Sequence, residues 1–414
     1  MRNIILLIVT FVLNAEIQSQ TTNNHSFKAD SLYRAKLYLK AGKAYKLAAE
    51  HAWLNTQKKN YYYNSACSYS LAKKNRLALK YLNLAIKNGY SDKQHMSNDS
   101  DLKNLHKSKK WLKLINSIKE RLIYSTPEAS TLITTDVLNF YKAFDLAIND
   151  SINATEIFKK EYFLKGSVGL QDFFSSKIRN LDLFSNYVLK NKSFYNSIRS
   201  TLLNTKKFKS QIHDNFSKLK SLYQQAVFPD VYIVIRKRNS NGTISDNGLL
   251  IGAEVMSKTP NNSKNWSENQ LKWTMDFKNI PITTTHEIIH FNQKGMKKEK
   301  TLIKYALIEG SAEFITELIT GKTDGDYSAF NSREKKIWKD FKKDMFQDKY
   351  NEWIDSQEPK RPRNAMYWAG YLISKSYYEN TKNKVKAIYE ILNIKNYMDF
   401  YNESKVEDFI EKMF

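Results

Sequence analysis

The chain has 414 residues, enough for two or three domains with their own cores, and its 42% hydrophobic and 26% charged residues exclude a disordered or fibrous chain. Lys plus Arg at 66 against Asp plus Glu at 42 gives +24, a balance that suits an anionic partner. No nucleic-acid module is recognisable, however, and the lysines run through the whole chain, so nucleic-acid binding is not expected. The single cysteine, Cys67, excludes an intramolecular disulfide and reads as a small buried residue of a helix.

Twelve glycines and six prolines are few breakers and favour helix throughout. At the amino end, MRNIILLIVTFVLNAEIQSQ carries one Arg, an apolar run from Ile4 to Leu13 and then small and polar residues. That is the pattern of a signal peptide, assigned to residues 1–20, with cleavage between Ala15 and Gln20. The apolar run is too short for an ordinary membrane span, so the mature protein is expected to be exported, periplasmic or secreted, with no transmembrane segment. No cysteine lies near the cleavage region, so a lipid anchor is not expected.

Residues 21–123 read as a helical module. In YYYNSACSYSLAKKNRLALKYLNLAIKNGYSD, Ala66, Ala78 and Ala85 sit where a tetratricopeptide-like α-hairpin needs small side chains, and Tyr62, Tyr69 and Leu82 where it needs large ones. Ala44 and Ala48 mark a weaker hairpin before it, and DLKNLHKSKKWLKLINSIK reads as the cap. Such hairpins offer a groove to a protein partner or serve as a prop on the next domain. His51, His95 and His106 lack metal-ligand spacing and read as ordinary surface or packing residues.

A boundary falls at Tyr124 to Ser130, where STPEAS caps a new helix. The main domain is expected over residues 131–414, with a helical part at 131–227 in which VLNFYKAFDLAI repeats its apolar positions at three and four residues and Gly166 and Gly169 mark a turn. Over 228–256, VYIVIRK and NGLLIGAEV read as two antiparallel strands joined through the turn NSNGT.

Residues 275–320 hold the chemistry. In HEIIH, His286 and His290 lie four apart on one helical face, where two neutral imidazoles reach one metal ion, and Glu287 flanks it as a base. Eighteen residues separate His290 from Glu309, a spacing that lets a second helix return with a carboxylate as third ligand. Glu313, one turn further, is a candidate acceptor for the other nitrogen of a ligating imidazole. Zn2+ follows from the ligand types, which also accept other divalent metals. Residues 335–414 add C-terminal helices, among them the charged amphipathic KDFKKDMFQDKYNEWI and a helix carrying Tyr367 and Tyr371 one turn apart.

HEIIH followed by Glu309 resembles the gluzincin pattern of thermolysin-like peptidases and zinc aminopeptidases. The run from Thr131 onward, through TLITTDVLNFYKAFD, GTISDNGLLIGAE, THEIIHFNQ, EGSAEF and YWAGYLISKSYYEN, resembles a bacterial family of predicted zinc-dependent proteases that carries an unknown-function label. Asn292 departs from the apolar residue that many such enzymes carry there. The resemblance implies a mainly α chain with an α+β gluzincin-like metalloprotease domain and a small antiparallel sheet. It also implies a peptide or protein substrate held on an edge strand at Leu249, Leu250, Ile251, Gly252 and Ala253, with Glu254 facing the substrate amine and Tyr367 donating to an oxyanion. The expectation is an exported zinc peptidase, with Glu287 as general base. The alternative is an exported interaction protein whose helical repeats bind a partner and whose metalloprotease-like domain is a scaffold.

Overall fold

The computed structural model describes residues 25–237, 241–294, 299–330, 332–354, 362 and 364–413, so the signal-peptide reading of residues 1–20 lies outside the described residues. A helix over residues 25–34 (α1) is followed by Tyr38–His51 (α2), Asn55–Leu71 (α3), Asn75–Lys87 (α4), the short Lys93–Asn98 (α5) and Lys109–Asn116 (α6). The pairs α2–α3 and α3–α4 pack as antiparallel hairpins because small side chains face the crossings. Ala44, Ala48, Ala66, Ala78 and Ala85 are buried, and a Cβ on Gly42 would lie 3.1 Å from the Tyr69 ring. Cys67 is buried within α3, as expected. His51 binds the Leu47 carbonyl, the exposed His95 binds the Tyr90 hydroxyl, and His106 stacks on Trp111.

These helices form an arm with two small cores of their own, separate from the large core of the body. The turn between α2 and α3 meets the body. Trp53 packs edge-on against Phe163 and Phe174, Thr56 lies 3.4 Å from Ser175, and Lys59 reaches Asp172 at 3.8 Å.

The body is mainly helical around a small mixed sheet. Strands Leu132–Ile133 (β1), Asp230–Val234 (β2), Gly242–Ser245 (β3) and Gly248–Gly252 (β4) lie in the order β1-β2-β4-β3. The first two pairings are parallel and the last antiparallel. The expected antiparallel pairing of VYIVIRK with NGLLIGAEV is therefore corrected. Asp246 and Asn247 turn the chain between β3 and β4, so the hairpin partner of β4 is GTIS, whose first two residues the reading placed in the turn NSNGT. Leu132–Ile133, expected to be helical, joins the sheet edge instead.

Helix Thr135–Asn149 (α7) buries the expected stripe, including Val137, Phe140, Ala143, Phe144 and Ala147. Two segments with π-helical turns follow, Phe158–Phe163 and Phe174–Ile178; Phe158 and Phe163 meet Phe184 edge to face, Tyr162 meets Phe140 edge to face, and Phe174 packs edge-on against Phe163. Gly169 lies inside helix Val168–Phe173 rather than in a turn, because a Cβ there would stand 2.3 Å from the Tyr232 ring of β2.

Helix Lys209–Leu222 (α8) leads to β2. The central helices are Ile280–Asn292 (α9) and Leu302–Thr320 (α10). The charged segment near the C-terminus is two helices, Glu334–Asp344 (α11) and Tyr350–Ile354, not one; the first buries Ile337, Trp338 and Phe341 and leaves its lysines in solvent. Helix Ala365–Asn380 (α12) crosses α10 at Gly310 and Gly370, where a Cβ on either would fall about 2 Å from the facing backbone. No described helix is long and apolar enough to cross a membrane.

Candidate metal centre

Helix α9 is buried on nearly every side, and for that reason its sequence shows little amphipathic pattern. Pro281 fits its first turn, where no helical hydrogen bond needs the missing N–H. Three buried threonines then satisfy their hydroxyls locally: Thr284 donates to the Ile280 carbonyl, Thr285 to Pro281, and Thr283 to the Asp324 carboxylate. Asn215 of α8 donates to Thr285 at 3.0 Å and fixes the helix rotation. His286 and His290 consequently face α10, where the close Gly310 crossing sets the position of Glu309.

The three expected ligands converge. His286 Nε2 and His290 Nε2 are 2.9 Å apart, and Glu309 Oε2 lies 3.5 Å from the first and 3.2 Å from the second. One donor atom from each falls within 4.8 Å of the others, and the histidines are nearly buried while about a quarter of the Glu309 side chain is exposed. Two imidazoles and a carboxylate, close together and open on one side, suit a divalent cation of the zinc class.

Charge around the site points the same way. Burial alone would raise the Glu309 carboxyl, but the two imidazoles outweigh it and hold it well below the usual carboxylate range. Burial would lower His286, yet the Glu309 carboxylate beside it and the charges of Glu313 and Asp324 push it up to about 10. His290 is raised by Glu309 against the same burial penalty. Burial raises Glu287 and Asp324, and it lifts Glu313 to about 7. Four acidic groups around two imidazoles make a pocket that favours positive charge.

The residues behind the ligands differ in part from expectation. Glu313 stands 3.5 Å from His286 Nδ1, too long for a good hydrogen bond, and instead accepts the Gly325 amide at 3.1 Å and 3.2 Å. The residue that orients an imidazole is Gln293, unforeseen in the sequence: its Oε1 is 2.9 Å from His290 Nδ1, and its amide donates to the Ile308 carbonyl and Ser311. With the Nδ1 proton held there, Nε2 is left with its lone pair toward the site. Asp324 was also missed. It groups with His286 and Glu313 as a second possible ligand set sharing the first histidine. Asn292, the departure from the protease pattern, points away from the metal site, accepting the Val227 amide and donating to the Val227 and Ile288 carbonyls.

Tyr367 lies on α12, where burial and the nearby Glu309 carboxylate raise its phenol, while Tyr371 donates to Glu317 at 2.8 Å. Glu287 is buried against Gly242 of β3, where a Cβ would sit 2.5 Å from its carboxylate. The substrate-binding expectation for Leu249, Leu250, Ile251, Gly252 and Ala253 is corrected. Their strand, β4, is paired on both sides, by β2 and β3, so its backbone cannot accept a further strand. Glu254 is fully buried and pairs with Arg236 at 3.1 Å, so it does not face a substrate amine.

In the arm, Cys67, Asp99 and Asp101 also cluster. The hydroxyls of Tyr63 and Tyr33 and the Asp101 amide already use those carboxylates.

Residues 124–407, more than half of the chain, match the family model described as gliding motility protein GldB, which is labelled a lipoprotein family. No curated protein and no solved structure matches. This match covers the stretch that resembles predicted zinc-dependent proteases and overturns the resemblance, because the family that fits is one of motility proteins and not of peptidases. The expectations of a hydrolase, of a peptide substrate, of Glu287 as general base and of Tyr367 as oxyanion donor are withdrawn with it. Lipoproteins are exported, in agreement with the amino-terminal reading, although the label runs against the expected lack of a lipid anchor. Cys67, inside α3, is not a place for one.

Proposed function

We propose that this chain, which belongs to the gliding motility protein GldB family, acts in gliding by binding rather than by catalysis. The observation that carries the reading is the division of the molecule. The family match starts at residue 124, and the hairpins ahead of it have their own cores and touch the body mainly around Trp53. The body is then a scaffold, and the arm is its binding part, used as tetratricopeptide-like hairpins are used, on the periplasmic or outer side of the cell envelope. His286, His290 and Glu309 hold a divalent metal of the zinc class that ties α9 to α10, with Gln293 setting the His290 tautomer. When bound, the metal supplies a cross-link between two central helices.

Metal analysis of purified protein tests the scaffold. One divalent ion per chain is expected, lost in Glu309→Ala, and saturation at a hundred times the dissociation constant adds about 2.7 kcal/mol of stability over chelated protein. A chain without metal, or equal melting with and without chelator, removes the tie. Deleting residues 25–123 tests the arm: the body should keep its metal while gliding fails, and unchanged gliding would overturn the binding-arm reading.

A further inference from the structure

The arm carries far more charge than its share. Residues 21–123 contain 21 Lys and Arg against 6 Asp and Glu, which is +15 of the +24 of the chain. The lysines are therefore not evenly spread, as they first read. The fold gathers many of them at one end. The α2–α3 turn faces the body, so the α1–α2 and α3–α4 turns lie at the far end of the arm. Asn104 joins them there, because its side chain donates to the Ser70 carbonyl and Asn75 donates to its own carbonyl. Lys36, Lys73, Lys74, Arg76, Lys103 and Lys107 all sit at this end, all are exposed, and no ion pair among the described residues involves them.

The acidic side chains of the arm are placed elsewhere or already used. Asp30, Asp99 and Asp101 accept hydrogen bonds from Tyr45, Tyr63 and Tyr33. Glu50 is near the body end of α2, Asp92 follows α4, and Glu120 follows α6. Two further details bear on what the basic end meets. Lys36 and Lys73 occupy the left-handed residue of their turns, at φ 59° and 57°, where glycine would be unstrained. Beside the first turn, Leu37 and Leu39 are exposed by 47% and 41%, apolar side chains set between Lys36 and Lys40.

We propose that the far end of the arm docks on an anionic lipid surface, its lysines and arginine at the phosphates and Leu37 and Leu39 entering the headgroup layer. Charge complementarity and apolar side chains among the bases favour a bilayer over a nucleic acid, which would find no stacking platform of exposed aromatic rings there. The proposal rests on the reading of the hairpins as a binding arm and names what they bind.

The test is co-sedimentation of the full chain with phosphatidylcholine vesicles, with and without phosphatidylglycerol. Binding should require phosphatidylglycerol and weaken with salt. Lys73→Glu/Lys74→Glu/Arg76→Glu should bind at least a hundredfold more weakly, at roughly fivefold per lost basic side chain. The same charge change on the body, Lys192→Glu/Lys336→Glu/Lys382→Glu, should leave binding nearly intact, and circular dichroism checks that both variants fold. No binding to anionic vesicles, equal binding to neutral ones, or equal loss in both triple variants overturns the proposal. If vesicle binding is absent but the arm cross-links to a protein in gliding cells, the lipid assignment fails and the binding-arm reading stands; dispensability of the arm for gliding sinks both.

Discussion

The body and the arm handle charge in opposite ways. In the body, Arg236, Glu254, His286, Glu287 and Glu313 are almost wholly buried, each against a named neighbour. In the arm, Lys36, Lys73, Lys74 and Arg76 stand in solvent, and no ion pair among the described residues involves them. A buried charge costs several kcal/mol unless partnered, so its presence means that the surrounding structure holds it in place. An exposed charge costs little, so a cluster of one sign reflects what it meets outside the protein. The body's charges thus describe its interior, and the arm's describe its partner.

The largest expected effect comes from breaking a buried pair. Arg236→Met leaves the Glu254 carboxylate in the core, where Gly252 makes room for the guanidinium, and should cost about 3–5 kcal/mol in denaturant unfolding. Arg236→Met/Glu254→Met should recover most of that loss. If the single change cost under about 1 kcal/mol, as exposed pairs do, buried and exposed charge would not differ as argued.

A partly exposed pair should fall between the two regions. Glu407 lies 2.8 Å from Lys342 of α11 and accepts from Tyr401. Burial alone would raise its carboxyl, but these hydrogen bonds outweigh it and the group titrates below its usual value of 4.5. A depressed carboxyl stabilises the fold above the unfolded value, and that contribution disappears as pH falls below 4.5 through the folded value. Both side chains are 42% exposed, so solvent screening keeps the effect of Glu407→Gln at neutral pH under about 1 kcal/mol. Thermal melts at neutral and acid pH should show the wild-type advantage shrinking on acidification; an advantage that grew would reverse the sign.

The sequence displayed the candidate metal ligands because their spacing is local. Four residues bring His286 and His290 to one face, and eighteen allow a helix to return with Glu309. Gln293 lies one turn beyond His290 and so shares the same local spacing, but a neutral amide is not a metal-ligand type and carries no signal of its own. Asp324 arrives from a loop after Gly321 with no periodicity to announce it. Sheet order was hidden for a similar reason. A parallel pairing of β2 with β4 across an intervening strand leaves no local signature, and the four residues of β3 are flanked by turn residues. The reaction was misread for a different cause: HExxH encodes ligand geometry, and ligand geometry serves a structural tie as well as an active site.

The smallest effect is expected where the charge is greatest. In Lys73→Glu/Lys74→Glu/Arg76→Glu three solvent-facing side chains change sign, no ion pair of the described residues is broken, and no core contact is lost. Repulsion among the like charges of the two turns and Lys103 is relieved, so unfolding free energy should move by no more than about 0.5 kcal/mol, and toward greater stability. The same variant is the one expected to lose vesicle binding. Lost binding with unchanged stability would show that these side chains act on something outside the chain. A destabilisation of several kcal/mol would instead make them part of the fold, and the contrast between arm and body would fail at the point where it is drawn most sharply.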